Sequence, residues 1–383
     1  MAKKVIEASE AVAIAVKLCR TEVVPVYPIT PQTHIPKKIA EMVSNGEMDI
    51  RMINVESEHS ALSAAIGSEA VGSRTFTATS SQGLALMHEI LFIASGMRLP
   101  IVMVVANRAL SAPLNIWNDQ QDSISERDSG WIQFYVESAQ EAFDTVIMAY
   151  KIAENAKVMT PVMVCMDGFA LTHVFEPVDI RSQEFVDKFL PKLSLPYPLN
   201  PEKPVSMGPI VYPTHYIHVK KQQQDAIASS INEIKKTHEE FSKLAKIDYG
   251  DGLIYEFQLK GADYVIVAMG TICSTIKYVA ADLRKKGKKV GLLKIKTLRP
   301  FPEKNVVDAL KDAKAIAVID RNISLGNDGA LYTDVKSALY NKSNAVIHNF
   351  IAALGGKDFR SEDAVSIFNK IEKEKKELRE WVL

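Results

Sequence analysis

The chain has 383 residues, of which 47% are hydrophobic, and its 46 basic and 46 acidic side chains give a formal net charge of zero. A length of this order predicts two or three globular domains, and the balanced charge argues against nucleic acid or an anionic membrane as the main partner. The three cysteines (Cys19, Cys165 and Cys273) lie far apart in the sequence. Their spacing excludes an iron–sulfur cage and a disulfide framework, and it favours a reducing cytoplasmic setting.

No stretch of the sequence is typical of a signal peptide or a membrane span. The lysines at positions 3 and 4 are not followed by a long apolar region, as a signal peptide requires. The longest apolar runs, such as Ile101–Ala106, have the length of a strand and are too short to cross a bilayer. We therefore expect a cytoplasmic protein without a membrane partner.

Short apolar segments alternate with helical segments along the first part of the chain. The predicted order is helix 8–19, strand 23–27, helix 32–43, strand 50–55, helix 58–70, strand 75–79, helix 82–97, strand 101–106, helix 140–156 and a strand at PVMVCM. This alternation predicts an α/β fold with a parallel sheet covered by helices on both faces. Ligands of such sheets bind at the carboxyl ends of the strands, where the segments YPIT, VESE and VANR lie.

The alternation stops at residue 175 and resumes near residue 250. A segment with six prolines between Pro177 and Pro204 predicts an extended path along the surface. A long polar helix over 222–246 is expected to follow it. A second, smaller α/β block then contains the strands DYVIVAMG, VGLLKI and AIAVID, and an amphipathic charged helix begins at Ser361. We expect two domains, 1–248 and 249–383.

Two common nucleotide-binding motifs are absent from the sequence. A G-x-G-x-x-G segment does not follow the first strand, and a Walker A loop does not occur, which argues against a nicotinamide-binding domain and a nucleoside triphosphatase. The GDG at 250–252 is similar to the start of the metal and diphosphate motif of thiamine enzymes. It lacks the expected pair of asparagines about 25 to 30 residues later and precedes a strand, so we interpret it as an ordinary turn.

Four residues at the predicted strand ends attract attention, but each has a simple structural explanation. Glu58 suits the first turn of a helix, where the macrodipole favours a carboxylate, and His59 suits an ordinary hydrogen-bonding role. Arg108 follows an apolar strand and could grip a carboxylate with its planar fork, or it could form a structural salt bridge. Thr30 could be only a turn residue. None of these residues identifies a function alone.

Taken together and in order, the motifs resemble those of one family. The segments YPITP, VESEH before an Ala-rich helix, TFTA, SQGL, ANRA and NIWNDQQD are similar to the α subunits of the 2-oxoacid:ferredoxin oxidoreductases, in particular those acting on pyruvate. The resemblance continues through RDSGWIQFYVESAQEA, the MDGF…TH segment, YVIVAMGT, TLRPFP and IDRNISLGNDGALYTDV. It covers most of the chain and is weakest in the proline-rich segment and the last helix.

The resemblance implies a fold, a cofactor and roles for individual residues. It implies a pyrimidine-type thiamine pyrophosphate domain followed by a transketolase C-terminal-like domain. It assigns to Glu58 the glutamate that hydrogen-bonds the pyrimidine ring of the cofactor, with Pro28, Ile29 and Thr30 alongside. Arg108 and Thr30 are expected to bind the carboxylate and carbonyl of the substrate. Asp119 and Gln121 are weaker candidates for the same region.

The resemblance also implies parts that other chains must supply. Mg²⁺ and [4Fe-4S] clusters are expected on partner subunits, with no metal on this chain, in a complex with β, γ and δ subunits that uses ferredoxin and coenzyme A. The implied reaction is the reversible oxidative decarboxylation of pyruvate to acetyl-CoA and CO₂. Two alternatives stay open: the same reaction on branched-chain acids such as 2-oxoisovalerate, and a non-catalytic scaffold subunit.

Overall fold

A computed structural model describes residues 2–383. The first part of the chain contains β1 (Ala2–Glu7), α1 (Ala8–Leu18), β2 (Val23–Val26), α2 (His34–Ser44), β3 (Arg51–Asn54), α3 (Glu58–Ala70), β4 (Phe76–Thr79), α4 (Ser81–Leu86), α5 (His88–Gly96), β5 (Val102–Asn107), α6 (Gln121–Ser125), β6 (Ile132–Tyr135), α7 (Ala139–Ala153), β7 (Val162–Asp167), β8 (Phe175–Ile180) and α8 (Gln183–Phe189).

The long helix α9 (Pro213–Ala245) connects this part to a second series of elements. They are β9 (Ile254–Phe257), β10 (Tyr264–Ala268), α10 (Ile272–Lys285), β11 (Val290–Ile295), β12 (Thr297–Arg299), α11 (Glu303–Leu310), β13 (Ala315–Asp320), α12 (Ala330–Leu339), β14 (Val346–Ile351), a short 3₁₀ turn (Leu354–Gly356), α13 (Ser361–Lys373) and β15 (Arg379–Trp381). No helix in residues 2–383 is both long and apolar enough to cross a membrane.

The first sheet has the strand order β12-β6-β7-β5-β4. The pairs between β4, β5, β7 and β6 are all parallel, and the parallel pair β2–β3 continues this sheet through a bridge between Val23 and Thr75. Alternate residues of β5 pack on opposite helical layers, Val102 and Val104 with α1 and α7, and Met103 and Val105 with α3 and α5. This two-sided burial explains the continuous apolar run and confirms the predicted covered parallel sheet.

The second sheet has the strand order β15-β14-β13-β10-β11-β9, with β9 antiparallel to β11 and the other pairs parallel. The two sheets share a hydrophobic core, since Met103 and Val105 of the first sheet belong to the same cluster as Val267 and Leu293 of the second. Strand β12 also leaves the second series to pair antiparallel with β6. The boundary predicted at residues 248 and 249 lies between α9 and β9 and stays a prediction.

Several elements differ from the sequence-based expectations. The segment predicted to follow an extended path contains β8, which pairs antiparallel with β1, and helix α8. The strands β1, β6, β9, β12, β14 and β15 were not predicted because they are short or contain polar residues. The helix expected over 82–97 is divided at Met87 into α4 and α5. Helix α9 begins at Pro213 and not at residue 222. Its first two turns are exposed on all sides, so they lack the amphipathic pattern that marks a packed helix.

The GDG segment forms a turn against α9. Gly252 has a φ of +81°, and a Cβ at this position would collide with the ring of His238, so the turn requires glycine. The Asp251 carboxylate accepts hydrogen bonds from the backbone amide of Leu253 at 2.9 Å and from the Asn305 side chain at 2.6 Å. These contacts agree with the interpretation of the segment as a structural turn.

We expect His238 to make the protein less stable in acid. Burial lowers the pKa of His238 to about 3, and Lys296 adds to this effect. An unfolded histidine binds a proton near pH 6.5, whereas the folded one does not until the pH approaches its lowered pKa. The histidine therefore removes stability as the pH falls from about 6.5, by about 1.4 kcal/mol per pH unit.

The measurement is the free energy of unfolding between pH 7 and pH 4. His238→Asn is uncharged and keeps a donor for the Ile234 carbonyl, which lies 3.0 Å from Nδ1. The free energy of unfolding of this variant should therefore depend less steeply on pH, by the equivalent of about one bound proton. His215→Asn, on the exposed start of the same helix, is the matched control. Identical slopes for His238→Asn and the unmodified protein would contradict the prediction.

Candidate functional site

The three main candidate residues come together at one edge of the first sheet. Thr30 follows β2, Arg108 follows β5, and Glu58 begins α3, which packs on β2 and β4. Because β2, β4 and β5 are parallel neighbours, their carboxyl ends meet at the same edge, where α/β sheets bind ligands. The structure thus brings together the three residues that the motifs had selected separately.

The guanidinium of Arg108 is held in a fixed orientation. The residue is 8% exposed, and its Nη1 donates a hydrogen bond to the backbone carbonyl of Thr30 at 2.8 Å while Nη2 donates to Gln82 Oε1 at 3.3 Å. Nε has no partner within residues 2–383. Burial lowers the pKa of Arg108, and Asp122 opposes this shift. A partly desolvated cation with an unused donor is suited to an anionic ligand.

Asp122 organises the strand ends around Arg108. Its Oδ2 accepts hydrogen bonds from the backbone amides of Ser81 at 2.9 Å and Arg108 at 3.0 Å, and its Oδ1 accepts one from Asn107 Nδ2 at 2.7 Å. Burial raises the pKa of Asp122 to about 7, against the effect of these hydrogen bonds. The sequence analysis did not select this residue, because two of its hydrogen bonds come from backbone amides, which leave no pattern in the sequence.

Glu58 lies at the start of α3 in a nearly buried position. It is 6% exposed, and the helix is capped by Ser57, whose hydroxyl accepts a hydrogen bond from the Ser60 amide at 3.3 Å. A Cβ built on Gly83 would lie 2.5 Å from Glu58 Oε1 and 2.6 Å from Thr79 Oγ1. The carboxylate and the hydroxyl therefore lie against the same side of Gly83, a position that only glycine leaves free.

The ionisable side chains next to Glu58 in the sequence make other contacts. Glu56 is exposed and accepts a hydrogen bond from the Ser60 hydroxyl, which lowers the pKa of Glu56. His59 is half-buried, and its Nε2 lies 3.9 Å from Glu89. The Glu58 carboxylate has no hydrogen-bond or ion-pair partner in the part of the chain that the structure describes. Of these three side chains, only Glu58 is both enclosed and free to bind a ligand.

The loop that carries Pro28, Ile29 and Thr30 is fixed by a residue that sequence reasoning missed. Gln32 is completely buried; its Oε1 accepts a hydrogen bond from the Ile29 amide at 3.2 Å, and its Nε2 donates to the Ala78 carbonyl at 2.9 Å. Pro28 and the Thr30 side chain remain exposed. The only sequence signal was its position directly after Pro31 at the end of the motif.

The two weaker candidates accept hydrogen bonds from loops of the second sheet. Asp119 accepts hydrogen bonds from the backbone amides of Gln121 and Gly355, each at 3.0 Å, and Gln121 Oε1 accepts one from the Ile323 amide at 2.9 Å. Gly355 and Ile323 follow strands of the second sheet. Asp119 and Gln121 therefore connect the two sheets, and their side-chain oxygens are already engaged.

Several buried polar atoms around Glu58 and Arg108 have no partner within residues 2–383. They are Thr79 Oγ1, Ser80 Oγ, Gln82 Nε2 and Arg108 Nε. Buried polar atoms without a hydrogen bond are costly, so this set indicates a polar ligand or a covering chain. A free carboxylate beside hydroxyl and amide groups fits the polar edge of an aminopyrimidine ring. The described residues contain no group of three His, Cys, Asp or Glu side chains arranged to hold a metal ion.

Family models match most of the chain. The model described as "Pyruvate flavodoxin/ferredoxin oxidoreductase, thiamine diP-bdg" matches residues 14–239, and "Pyruvate:ferredoxin oxidoreductase core domain II" matches residues 262–364. The first match contains the whole candidate site. It confirms the expected thiamine diphosphate-binding fold of the first part of the chain.

Curated relatives are similar over nearly the whole length. Pyruvate synthase subunit PorA of Methanocaldococcus jannaschii is 54% identical over 99% of this chain and 97% of that protein. Ketoisovalerate oxidoreductase subunit VorA of Pyrococcus abyssi is 45% identical over 97% of this chain and 94% of that protein.

A solved structure shows the same fold. It is the 2-oxoglutarate:ferredoxin oxidoreductase from Magnetococcus marinus, with a TM-score of 0.74 and 18% identity over 97% of this chain. Our chain spans 65% of the length of that one. With the family models and the curated relatives, the assignment is direct: this chain belongs to the pyruvate:ferredoxin oxidoreductase family.

Proposed function

We propose that this chain is the α subunit of a pyruvate synthase and supplies the aminopyrimidine half of its thiamine pyrophosphate site. The complex converts pyruvate, coenzyme A and two oxidised ferredoxins into acetyl-CoA, CO₂, two reduced ferredoxins and a proton, or the reverse. The observation that carries the proposal is the nearly buried, unpartnered Glu58 carboxylate within the matched thiamine diphosphate-binding region. The 54% identity to a pyruvate synthase subunit supports the choice of substrate.

Glu58 would hold a proton at a pyrimidine ring nitrogen of the cofactor. When bound, thiamine pyrophosphate supplies the electron sink that decarboxylation of a 2-oxo acid requires. The carboxylate of Glu58 is enclosed by the Ala-rich helix α3 and by Gly83. An enclosed carboxylate of this kind is held at a fixed position relative to the ring that it contacts.

Arg108 would bind the carboxylate of the 2-oxo acid. The Thr30 carbonyl and Gln82 Oε1 hold its guanidinium at 2.8 and 3.3 Å, and Asp122 holds its backbone. A guanidinium fixed in this way presents its remaining donors without a loss of side-chain freedom on binding. The Thr30 hydroxyl is exposed at the same edge, where it could donate a hydrogen bond to the substrate carbonyl.

We expect Arg108→Ala to weaken substrate binding. Loss of a hydrogen-bonded charge costs about 1.5–3 kcal/mol, which corresponds to an increase of about 10- to 150-fold in the KM for pyruvate. The KM for coenzyme A should change by less than about twofold, since Arg108 is assigned to the 2-oxo acid alone. Arg127→Ala is the matched control, because within residues 2–383 the Arg127 side chain donates a hydrogen bond only to the Ile124 carbonyl. An unchanged KM for pyruvate would show that Arg108 is structural.

Exposed apolar side chains on the helices around the site support a partner subunit. Leu86, Phe92 and Ile93 of α4 and α5 are between 40% and 50% exposed, and Val71 at the end of α3 is 56% exposed. Exposed apolar side chains in this number are typical of protein interfaces. We propose that a β subunit covers it and brings the diphosphate-binding half and Mg²⁺, and that γ and δ subunits complete a cytoplasmic complex with [4Fe-4S] clusters for ferredoxin reduction.

Cofactor titration tests the divided site. Calorimetry should show tight thiamine pyrophosphate binding, with Mg²⁺ present, for the purified complex and weak or no binding for the isolated chain. A chain that binds the cofactor tightly without partners would refute the divided site.

Substrate comparison tests the reaction. The purified complex should reduce ferredoxin in the presence of coenzyme A faster with pyruvate than with 2-oxoisovalerate. The 45% identity to a ketoisovalerate oxidoreductase subunit keeps the branched-chain substrate as the second candidate, and a preference for 2-oxoisovalerate would select it. Turnover with neither acid, in a complex that binds the cofactor, would favour a scaffold role.

A further inference from the structure

A buried ion pair connects the second sheet to the edge that carries the candidate site. Arg321 follows β13, and its Nη1 lies 2.6 Å from Oδ2 of Asp167, the last residue of β7. Their side chains are 3% and 1% exposed. The same carboxylate accepts hydrogen bonds from the backbone amide of Thr271, at 2.8 Å, and from its hydroxyl. The second sheet therefore contacts Asp167 through two separate loops.

Asp167 is directly linked to the strand that ends in Arg108. It pairs with Asn107 in the parallel register of β5 and β7, and the amide of Gly168 donates to the Asn107 carbonyl at 3.0 Å. Asn107 precedes Arg108 and also donates to Asp122 at 2.7 Å. A shift of Asp167 would therefore move Asn107, and with it Arg108, through the backbone contacts between β7 and β5.

Hydrogen bonds connect the loop after Arg108 to loops that follow strands of the second sheet. The Gln120 amide donates to the carbonyl of Arg321 at 2.8 Å, the Gly356 amide donates to the Asn118 carbonyl at 2.7 Å, and Asn115 Nδ2 donates to the Gly355 carbonyl at 3.0 Å. Within the loop, the Ala109 amide donates to the Trp117 carbonyl at 3.0 Å. With the contacts of Asp119 and Gln121, the loop is held from both of its ends.

We propose that Arg321 and Asp167 are positioning residues. Through them the second α/β unit (β9 to β15, 254–381) fixes Arg108 and residues 109–121 for binding of the 2-oxo acid. This inference rests on the proposed function of Arg108. It gives the second unit a role in the site beyond packing and subunit contact. Buried charges pair at a considerable desolvation cost, and a fixed geometry for the group that binds the substrate is a use that such a pair can have.

The test uses the purified complex and two sets of variants. Arg321→Met alone would leave a buried carboxylate unpaired and could prevent folding, so the informative variant is Arg321→Met/Asp167→Asn, which removes both charges and keeps an oxygen for the Thr271 amide. Arg321→Lys keeps the positive charge that pairs with Asp167. Arg299→Met is the matched control, because Arg299 on β12 forms its ion pair with Asp334 on α12 and not with a residue of β7.

In the double variant, we expect the KM for pyruvate to rise about tenfold or more, with the KM for coenzyme A unchanged within about twofold. Arg321→Lys should recover part of the loss. Equal changes in both KM values, accompanied by a lower Tm, would mean that the pair has only a structural role and would overturn the proposal, as would unchanged kinetics.

Hydrogen exchange provides a second measurement that does not depend on activity. Amides within residues 108–121 should exchange about tenfold faster in the double variant than in the unmodified complex or in Arg299→Met. Unchanged exchange in this segment would refute the positioning role, even in a complex that does not use pyruvate. Absence of turnover in the unmodified complex would instead refute the proposed function, so the two failures are distinguishable.

Discussion

Glu58→Gln should abolish turnover while the complex still assembles. Removal of a positioned proton carrier typically costs about 10² to 10⁴ in rate, and we expect kcat with pyruvate to fall by at least about 100-fold. Glutamine has nearly the same shape, and Glu58 makes no hydrogen bond within residues 2–383 that the change would break. The Tm and the subunit composition should therefore stay the same. Activity within about threefold of the unmodified complex would remove Glu58 from the proposed role.

A pair of glycine variants tests the same carboxylate without altering it. A Cβ on Gly83 would lie 2.5 Å from Glu58 Oε1, whereas a Cβ on Gly67, in the helix that Glu58 begins, would meet nothing within 4 Å. Alanine favours helices over glycine by about 1 kcal/mol, so neither change should weaken its helix. Gly83→Ala should displace the Glu58 carboxylate and lower kcat, and Gly67→Ala should not. Equal activity of the two variants would mean that the position of Glu58 is unimportant.

The covered parallel sheet and its ligand edge could be predicted from the sequence because they depend on local patterns. Apolar runs such as VMVVAN are long enough for strands that are buried on both faces, and strand ends in a parallel sheet meet at one edge. The role of Glu58 came from the resemblance to a family, and the burial of Glu58, beside an exposed Glu56, agrees with that role.

Residues that act across long sequence separations could not be predicted in this way. Asp122 serves the backbone amides of Ser81 and Arg108, and backbone groups carry no sequence signal. Asp119 and Gln121 were expected near the substrate because they lie in a family motif. Their partners, Gly355 and Ile323, are more than 200 residues away. Only the three-dimensional structure reveals such pairs.

Glu141 illustrates both sides of this difference. The segment Ser138-Ala-Gln-Glu141 has the spacing of a capping box. Ser138 Oγ accepts a hydrogen bond from the Glu141 amide at 3.2 Å, whereas Glu141 Oε2 accepts one at 2.7 Å from the amide of Glu137, the residue before the cap. That local role is readable from the sequence. The same carboxylate also lies 2.6 Å from Lys294 Nζ and 2.9 Å from Lys296 Nζ. Both lysines lie about 150 positions later in the chain, so these ion pairs could not be predicted from the sequence.

Glu141→Gln should strongly destabilise the protein. Burial would raise the pKa of Glu141, but Lys294 and Lys296 outweigh it and hold the pKa below its usual range. Removal of one partner from a buried ion pair costs about 3–5 kcal/mol because the other charge is left uncompensated. Here two buried ammonium groups would lose the carboxylate, although Lys294 would keep Glu137 at 2.9 Å. We therefore expect Tm to fall by about 5 °C.

The effect should depend on pH in a defined direction. A carboxylate whose folded pKa is lowered contributes its stability above the unfolded pKa, near 4.5, and loses it as the pH falls through the folded pKa. The Tm difference between Glu141→Gln and the unmodified protein should accordingly be largest near neutral pH and shrink below about pH 4.5. Asp225→Asn, which breaks the exposed pair with Lys221, is the control and should change stability by less than about 1 kcal/mol. If calorimetry gave similar small shifts for both variants, the buried cluster between the two sheets would not contribute to stability as its geometry requires.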